Sequence, residues 1–319
     1  MSPAPDRPES LARPPALVTG DRVAVLSASG PVEPGQLSGG LDRLLAAGLQ
    51  PVIYDSATSP ATLHDYLAGD DRLRADDLTR ALTDPTIAGV VFARGGYGAQ
   101  RTLAALDWSR LAGLRPKVLA GYSDVTAILE AVAVRLGWAS LFSPMVATEP
   151  SDDYSWGSFI STLTAPEQVS ELRFPDAVTV VGGLARGRTV GGNLCLLMAS
   201  LGTDTSWPAA GGILMVEDEA EEDYRIDRML TQLSRAGYLD GVRAIITGAF
   251  YRCGPAERVS RVLDERLGGL GVPMISWADI GHGAPFQTYP IGVAAELDAD
   301  ARTLRLLDPP LVPSACRTS

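Results

Sequence analysis

Apolar residues along the chain follow two alternating patterns. Mostly apolar runs at 22–26, 52–54, 87–92, 118–120 and 138–142 have the length and composition of buried strands. Between them apolar residues recur at helical spacing: Leu37, Leu41, Leu44 and Leu45, then Leu73, Leu78 and Leu82, then Ile128, Leu129, Val132 and Leu136. Gly48 supplies a stop for the first of these helices. Alternating strand and helix signals predict an α/β domain built on a doubly wound, mostly parallel sheet. Ligands on such sheets bind beyond the carboxyl ends of the strands. Three small-residue turns fall there: Ser27-Ala28-Ser29-Gly30-Pro31, Arg94-Gly95-Gly96-Tyr97-Gly98 and Gly121-Tyr122-Ser123-Asp124.

The pattern weakens over 151–186, which holds Pro166 and Pro175 with Tyr154, Trp156 and Phe159 and follows Pro150. This stretch reads as a connector carrying one helix. The second half opens at Gly191-Gly192-Asn193. A strand over 212–216 delivers Glu217, and a helix follows over 224–236 with Ile226, Met229, Leu230 and Leu233 on one face. A strand at 242–246, a helix at 255–267 and a hairpin over 293–307, turning near Ala299-Asp300, complete a smaller α+β domain. The expected organisation is a disordered tail (1–19), an N-terminal α/β domain (20–150), the connector (151–186) and a C-terminal domain (187–319).

Composition narrows the classes. The 319 residues are 46% hydrophobic and 20% charged, with a formal net charge of −11. So acidic a chain is a poor ligand for phosphate backbones, and no nucleic-acid partner is expected. No apolar run approaches the roughly 18 residues of a membrane span. The first 17 residues contain five prolines and no apolar core of a signal peptide, so a cytoplasmic protein is expected. Cys195, Cys253 and Cys316 are far apart and suggest neither a disulfide framework nor a zinc site. The acidic run over 217–223 has no neighbouring histidine or cysteine, so no metal or other cofactor is expected.

Candidate chemistry centres on Ser123. A strand over 118–120 turning at once into a helix is the geometry of a nucleophile elbow. The usual G-x-S-x-G is incomplete, because Val125 follows Asp124. By itself the motif also fits a helix N-cap. A serine nucleophile usually needs a histidine base, and the chain has two histidines. His64 precedes a charged helix and reads as a surface residue. His282 lies between Gly281 and Gly283, in a loop that can turn tightly and leave the ring exposed. Glu217, at a strand end, is the carboxylate candidate to orient it. Arg94-Gly95-Gly96-Tyr97-Gly98 lacks both the dinucleotide fingerprint and a Walker lysine. It suits an oxyanion hole better, with a glycine N–H, of Gly95 or Gly96, beside the N–H of Asp124.

Seven motifs now stand in order: Tyr66-Leu67-Ala68-Gly69-Asp70, Arg94 to Arg101, Gly121 to Asp124, Gly191-Gly192-Asn193-Leu194, Glu217-Asp218, Tyr224 to Arg228, and Gly281-His282-Gly283. In this order the chain resembles the serine LD-carboxypeptidases, also called muramoyl-tetrapeptide carboxypeptidases, a family that includes the microcin C immunity peptidases. The resemblance runs from about residue 20 to 308. It implies a triad of Ser123, Glu217 and His282, an oxyanion hole from Asp124 and Gly95 or Gly96, a C-terminal domain of swivelling-barrel type, and a homodimer. The implied partner is a small peptide with a terminal D-amino acid, whose D-alanine would be released in murein recycling. Arg94 is a candidate anchor for its carboxylate, and Tyr97 and Phe286 are candidates for the cleft wall. Two departures bear on substrate: Phe142-Ser143-Pro144 where relatives tend to have His-Gly-Pro, and Phe286-Gln287 where a shorter polar residue is common. Alternatives left open are hydrolysis of peptidyl-nucleotides or other acylated small molecules, an acyltransferase on the same triad, and a non-catalytic binding module.

Overall fold

A computed structural model describes residues 9–33, 35–61, 64–148 and 152–313. Five strands lead the chain: β1 (Arg22–Leu26), β2 (Gln50–Ile53), β3 (Ile87–Phe92), β4 (Val118–Gly121) and β5 (Ser140–Phe142). They pair in parallel in the order β2-β1-β3-β4-β5. Residues of β1, β3 and β4 are buried on both faces, which is why, after Arg22 at the start of β1, they read as apolar runs. The winding reverses between β1 and β3, and the crevice beyond their carboxyl ends is where such sheets take ligands.

The second half supplies β6 (Glu171–Arg173), β7 (Val178–Val181), β8 (Leu184–Asn193), β9 (Gly212–Glu219), β10 (Ala244–Tyr251), β11 (Met274–Ser276), β12 (Tyr289–Ile291), β13 (Ala294–Asp298) and β14 (Thr303–Leu306). Eight of these form a mixed sheet in the order β6-β14-β13-β8-β9-β10-β11-β7. β8 to β11 are parallel, and antiparallel strands flank them on both sides. The α/β class expected from the sequence is what the chain adopts. The second sheet is open, with no closed barrel among the described residues.

The two halves interlock. β12 leaves the second half and pairs antiparallel with β5, closing the edge of the first sheet. The hydroxyl of Tyr289 donates to the Ile213 carbonyl of β9 at 3.2 Å. One apolar core therefore runs through both sheets, from Leu26 and Phe92 to Met215 and Ala295. The end of β8 meets the start of the helix Thr126–Leu136, where the Asn193 N–H donates to Thr126 Oγ1 at 3.1 Å. Ile128, Leu129 and Val132 of that helix are buried. Full burial of such side chains contributes about 1.5–3 kcal/mol each, and it anchors the turn before the helix.

Two readings of the sequence need correction. Residues 9–19 are not a loose tail. The Leu11 N–H donates to Gly292 O at 2.7 Å, Ala12 bridges to Trp138, and Ala16 and Leu17 are buried. Proline-rich composition concealed this, because the pairing partners lie far along the chain. The stretch 151–186 carries more than one helix. After Asp153–Thr164 it contributes β6 and β7, one at each edge of the second sheet. The tail's first eight residues, Pro150 and Cys316 lie outside the described residues.

Candidate active site

β4 ends at Gly121, and Ser123 opens a single helical turn, Ser123–Val125, that runs straight into the helix Thr126–Leu136. Ser123 has φ +60°. A non-glycine residue there is strained, and such strain gathers at functional turns. The turn aims Ser123 into a cleft of about 680 Å³ between the halves, which His282, Arg94, Gly95 and Gly96 also line. Gly95 lies against the elbow. A Cβ added to it would stand 3.1 Å from Ser123 Oγ and 3.4 Å from the Asp124 nitrogen. Only a glycine leaves that space open.

The Asp124 side chain does work that sequence reasoning assigned only to its backbone. Its Oδ2 accepts from Ser29 Oγ at 2.6 Å and from the Ala99 N–H at 2.7 Å. One carboxylate thus pins the turns after β1 and β3 to the elbow. Burial pushes its pKa above the ordinary range, and the Ser29 and Ala99 hydrogen bonds oppose that. Arg74, fully buried, secures the same corner. It donates to the carbonyls of Ala68 and Gly69 and to Thr102 Oγ1, and Thr102 in turn donates to Ala28 O. The Tyr66 to Asp70 motif therefore includes the carbonyls that hold a buried arginine. Nothing in the local pattern separates Arg74 from the exposed charges of its helix.

Glu217 lies near the end of β9, followed by the buried Asp218, and is itself fully buried. Its Oε2 lies 2.6 Å from His282 Nδ1 and also accepts the His282 backbone N–H at 3.0 Å. Its Oε1 accepts from Asn193 Nδ2, which also reaches Asp218 Oδ1. Asn193 is a positioning group that the Gly191-Gly192-Asn193 signal marked without a role. His282 is carried on the loop between β11 and β12, so the strand that crosses between the sheets delivers it to the cleft. Its ring packs on Tyr122, with centroids 4.8 Å apart. Burial alone would lower the His282 pKa. Glu217, followed by Glu219 and Asp218, outweighs it, so the imidazole titrates above its ordinary value. Burial pushes the Asp218 carboxyl up to about 7, with the Glu217 charge adding to it. Such an arrangement can orient an imidazole, fix its tautomer and stabilise its charged form.

The LD-carboxypeptidase N-terminal domain family matches residues 23–143, and the LD-carboxypeptidase C-terminal domain family matches 186–297. The chain belongs to the LD-carboxypeptidase family.

A Streptomyces coelicolor chain that carries a carboxypeptidase name is 46% identical over 304 residues, spanning 94% of this chain and 98% of that one. The murein tetrapeptide carboxypeptidase of Pseudomonas aeruginosa is 31% identical over 302 residues, spanning 88% and 94%. The structure of MccF in complex with glutamyl sulfamoyl guanosine shares the fold, with a TM-score of 0.82 at 23% identity over 94% and 99% of the two chains. Family membership makes this LD-carboxypeptidase a hydrolase of peptide bonds.

Of the residues singled out from the sequence, Ser123, Glu217, His282, Asp124, Gly95, Gly96 and Arg94 come together around this crevice. Arg94 lines the cleft while its Nη1 donates to Pro31 O at 2.7 Å. Tyr97 does not line the cleft. It is exposed and meets Tyr66 edge to face. Phe286 is not on the cleft wall either. It is fully buried behind Tyr122 and Phe142, so it supports the elbow from beneath. Among the described residues no group of three or more His, Cys, Asp or Glu side chains is placed to hold a metal ion, and no helix is long and apolar enough to cross a membrane.

Gly281 gives a local test. It has φ +103°, and an added Cβ would lie 2.4 Å from Glu217 Oε2. Gly281→Ala should therefore push His282 and Glu217 apart. Steady-state assays should show kcat lowered about 10- to 100-fold, as for catalytic groups misplaced by about an ångström. An unchanged kcat would show that this contact does not set the geometry.

Proposed function

We propose that the protein is a serine carboxypeptidase that hydrolyses an L,D-amide bond and releases the terminal D-alanine of a murein tetrapeptide. The observation that carries the reading is the 2.6 Å contact between Glu217 Oε2 and His282 Nδ1, in a cleft that also holds the strained Ser123. Ser123 Oγ attacks the amide carbonyl, and His282 takes its proton through Nε2. Glu217 holds the ring and stabilises the imidazolium. The N–H of Asp124 and that of Gly95 or Gly96 receive the oxyanion; one such donor is typically worth about 100- to 1000-fold in rate. His282 returns the proton to the leaving amine, the C–N bond breaks, and D-alanine departs. Water, deprotonated by His282, then cleaves the acyl-enzyme. Arg94 is the cation positioned to meet the free carboxylate of the leaving residue. Murein-peptide recycling in the cytoplasm is the setting this chemistry suits.

The charge of the cleft favours this substrate over an acidic aminoacyl-nucleotide. Glu219 and Glu221 line it as charged groups, with Asp218, pushed up to about 7, adding partial charge near neutral pH. An acyl group bearing an ammonium, as the diamino acid of a murein tetrapeptide does, complements that wall. A glutamyl or aspartyl group meets like charge, which disfavours it. Mass spectrometry of products should show tripeptide and free D-alanine from the tetrapeptide. An aspartyl sulfamoyl adenosine mimic should be turned over at least about 10-fold more slowly, as expected for roughly 1.4 kcal/mol of discrimination. Faster turnover of the acidic mimic would sink the assignment.

A further inference from the structure

Glu219 stands across the His282 ring from Glu217. Its Oε2 lies 3.3 Å from His282 Nε2, the nitrogen that takes the Ser123 proton in the mechanism above. The imidazole is thus held at both nitrogens, by Glu217 at Nδ1 and by Glu219 at Nε2. The two carboxylates differ in freedom. The Glu217 side chain is fully buried, whereas that of Glu219 is 38% exposed at the very end of β9. Ala220, the next residue, has φ +57°, so the chain leaves the strand at that point. Glu219 also lines the cleft, where an entering substrate would meet it.

Other charged groups near the ring have partners of their own. From β9, Asp218 is engaged by Asn193 Nδ2, by the Glu219 N–H and by the Cys195 N–H. Tyr122 packs on the ring from the elbow, and Tyr251, at the end of β10, lies against the position of Gly283. Arg94 and Glu221 line the same cleft, tied respectively to Pro31 O and to Arg225.

We propose that Glu219 is a positioning residue that holds His282 in a resting state by occupying Nε2, and that productive substrate binding displaces it so that Nε2 can serve Ser123. This inference rests on the Ser123, His282 and Glu217 reading. While Glu219 is in contact, its charge favours the imidazolium, which cannot act as a base. Once substrate fills the cleft, the carboxylate swings outward and the proton affinity of the ring falls.

The device separates two pH profiles. The profile of kcat/KM reports the free enzyme, with Glu219 in contact, and that of kcat reports the enzyme–substrate complex. In the wild type the acid limb of kcat/KM should lie at higher pH than the acid limb of kcat. Glu219→Gln removes the charge and should move the kcat/KM limb down by roughly 0.5–1 pH unit, a modest share of what a nearby opposite charge can give. One pH unit below the wild-type limb, kcat/KM taken as a fraction of each enzyme's own plateau should then be about 3- to 5-fold higher in the variant. The limb of kcat should stay in place. Glu222→Gln, an exposed neighbour in the same acidic run, should move neither.

The two histidines of the sequence allow a readout independent of turnover. In a His64→Gln background the single imidazole signal in a proton NMR titration belongs to His282. Its midpoint should fall when Glu219→Gln is added. An unmoved midpoint overturns the proposal, as does a kcat/KM limb that stays in place or that Glu222→Gln moves equally. Failure of the triad itself reads differently: Ser123→Ala would keep its activity, and the His282 titration would be unaffected by that result.

Discussion

Ser123→Ala is expected to lower kcat by about 10⁴-fold or more, the order lost when a serine nucleophile is removed from a triad. The elbow is the reason. Ser123 is held at φ +60° where it lines the cleft, with Gly95 leaving the space in front of Oγ open. No neighbouring hydroxyl shares that geometry on the elbow turn Ser123–Val125. The variant should fold, because alanine fills no new space. Circular dichroism and a D-alanine release assay, run on the same preparation, check both halves. Ser123→Gly should be equally inactive and melt no lower than Ser123→Ala, since glycine carries no Cβ penalty at positive φ. Retention of more than about a tenth of the wild-type rate by either variant would remove Ser123 from the mechanism.

His282→Gln should lose activity by about 10³-fold or more, whereas His64→Gln should keep near-wild-type kcat/KM. The structure separates the two rings. His282 is buried against Glu217 and Tyr122, and His64 stacks on Tyr66, itself exposed, with centroids 5.0 Å apart. Glu217→Gln should fall between them, because it keeps the shape but not the charge that stabilises the imidazolium. The sign of the pH dependence follows from His282. Its pKa is raised in the folded protein, and only the neutral ring is a base, so kcat/KM should decline as pH falls through a value above the ordinary 6.5. Stability moves the other way. A raised histidine pKa contributes stability that is fully present below its unfolded value and is lost as pH rises through the folded one. Equal damage from His64→Gln and His282→Gln, with both proteins folded, would break the assignment.

What the sequence by itself determined is local. The doubly buried strands β1, β3 and β4 announced themselves as apolar runs, because a strand covered on both faces needs no polar alternation. The abrupt change from the run at 118–120 to helical spacing after Asp124 located the elbow. Glycines beside His282 marked a tight loop, and Gly281 does require positive φ there.

Only the tertiary structure decided which of these local pieces meet. Glu217 and His282 are 65 residues apart, and they touch because β12 crosses to the first sheet and draws the preceding loop over the end of β9. The same crossing turns Phe286 inward beneath Tyr122, where sequence reasoning had placed it on the cleft wall. Residues 9–19 pair with Gly137 and Gly292, contacts that no periodicity within the segment could reveal. Asp124, Asn193 and Glu219 act through atoms supplied by other elements. Periodicity reports which face of one element is buried. It carries no information on which distant side chain will lie against that face, because sheet order and register set that, and they are settled only when the whole core closes.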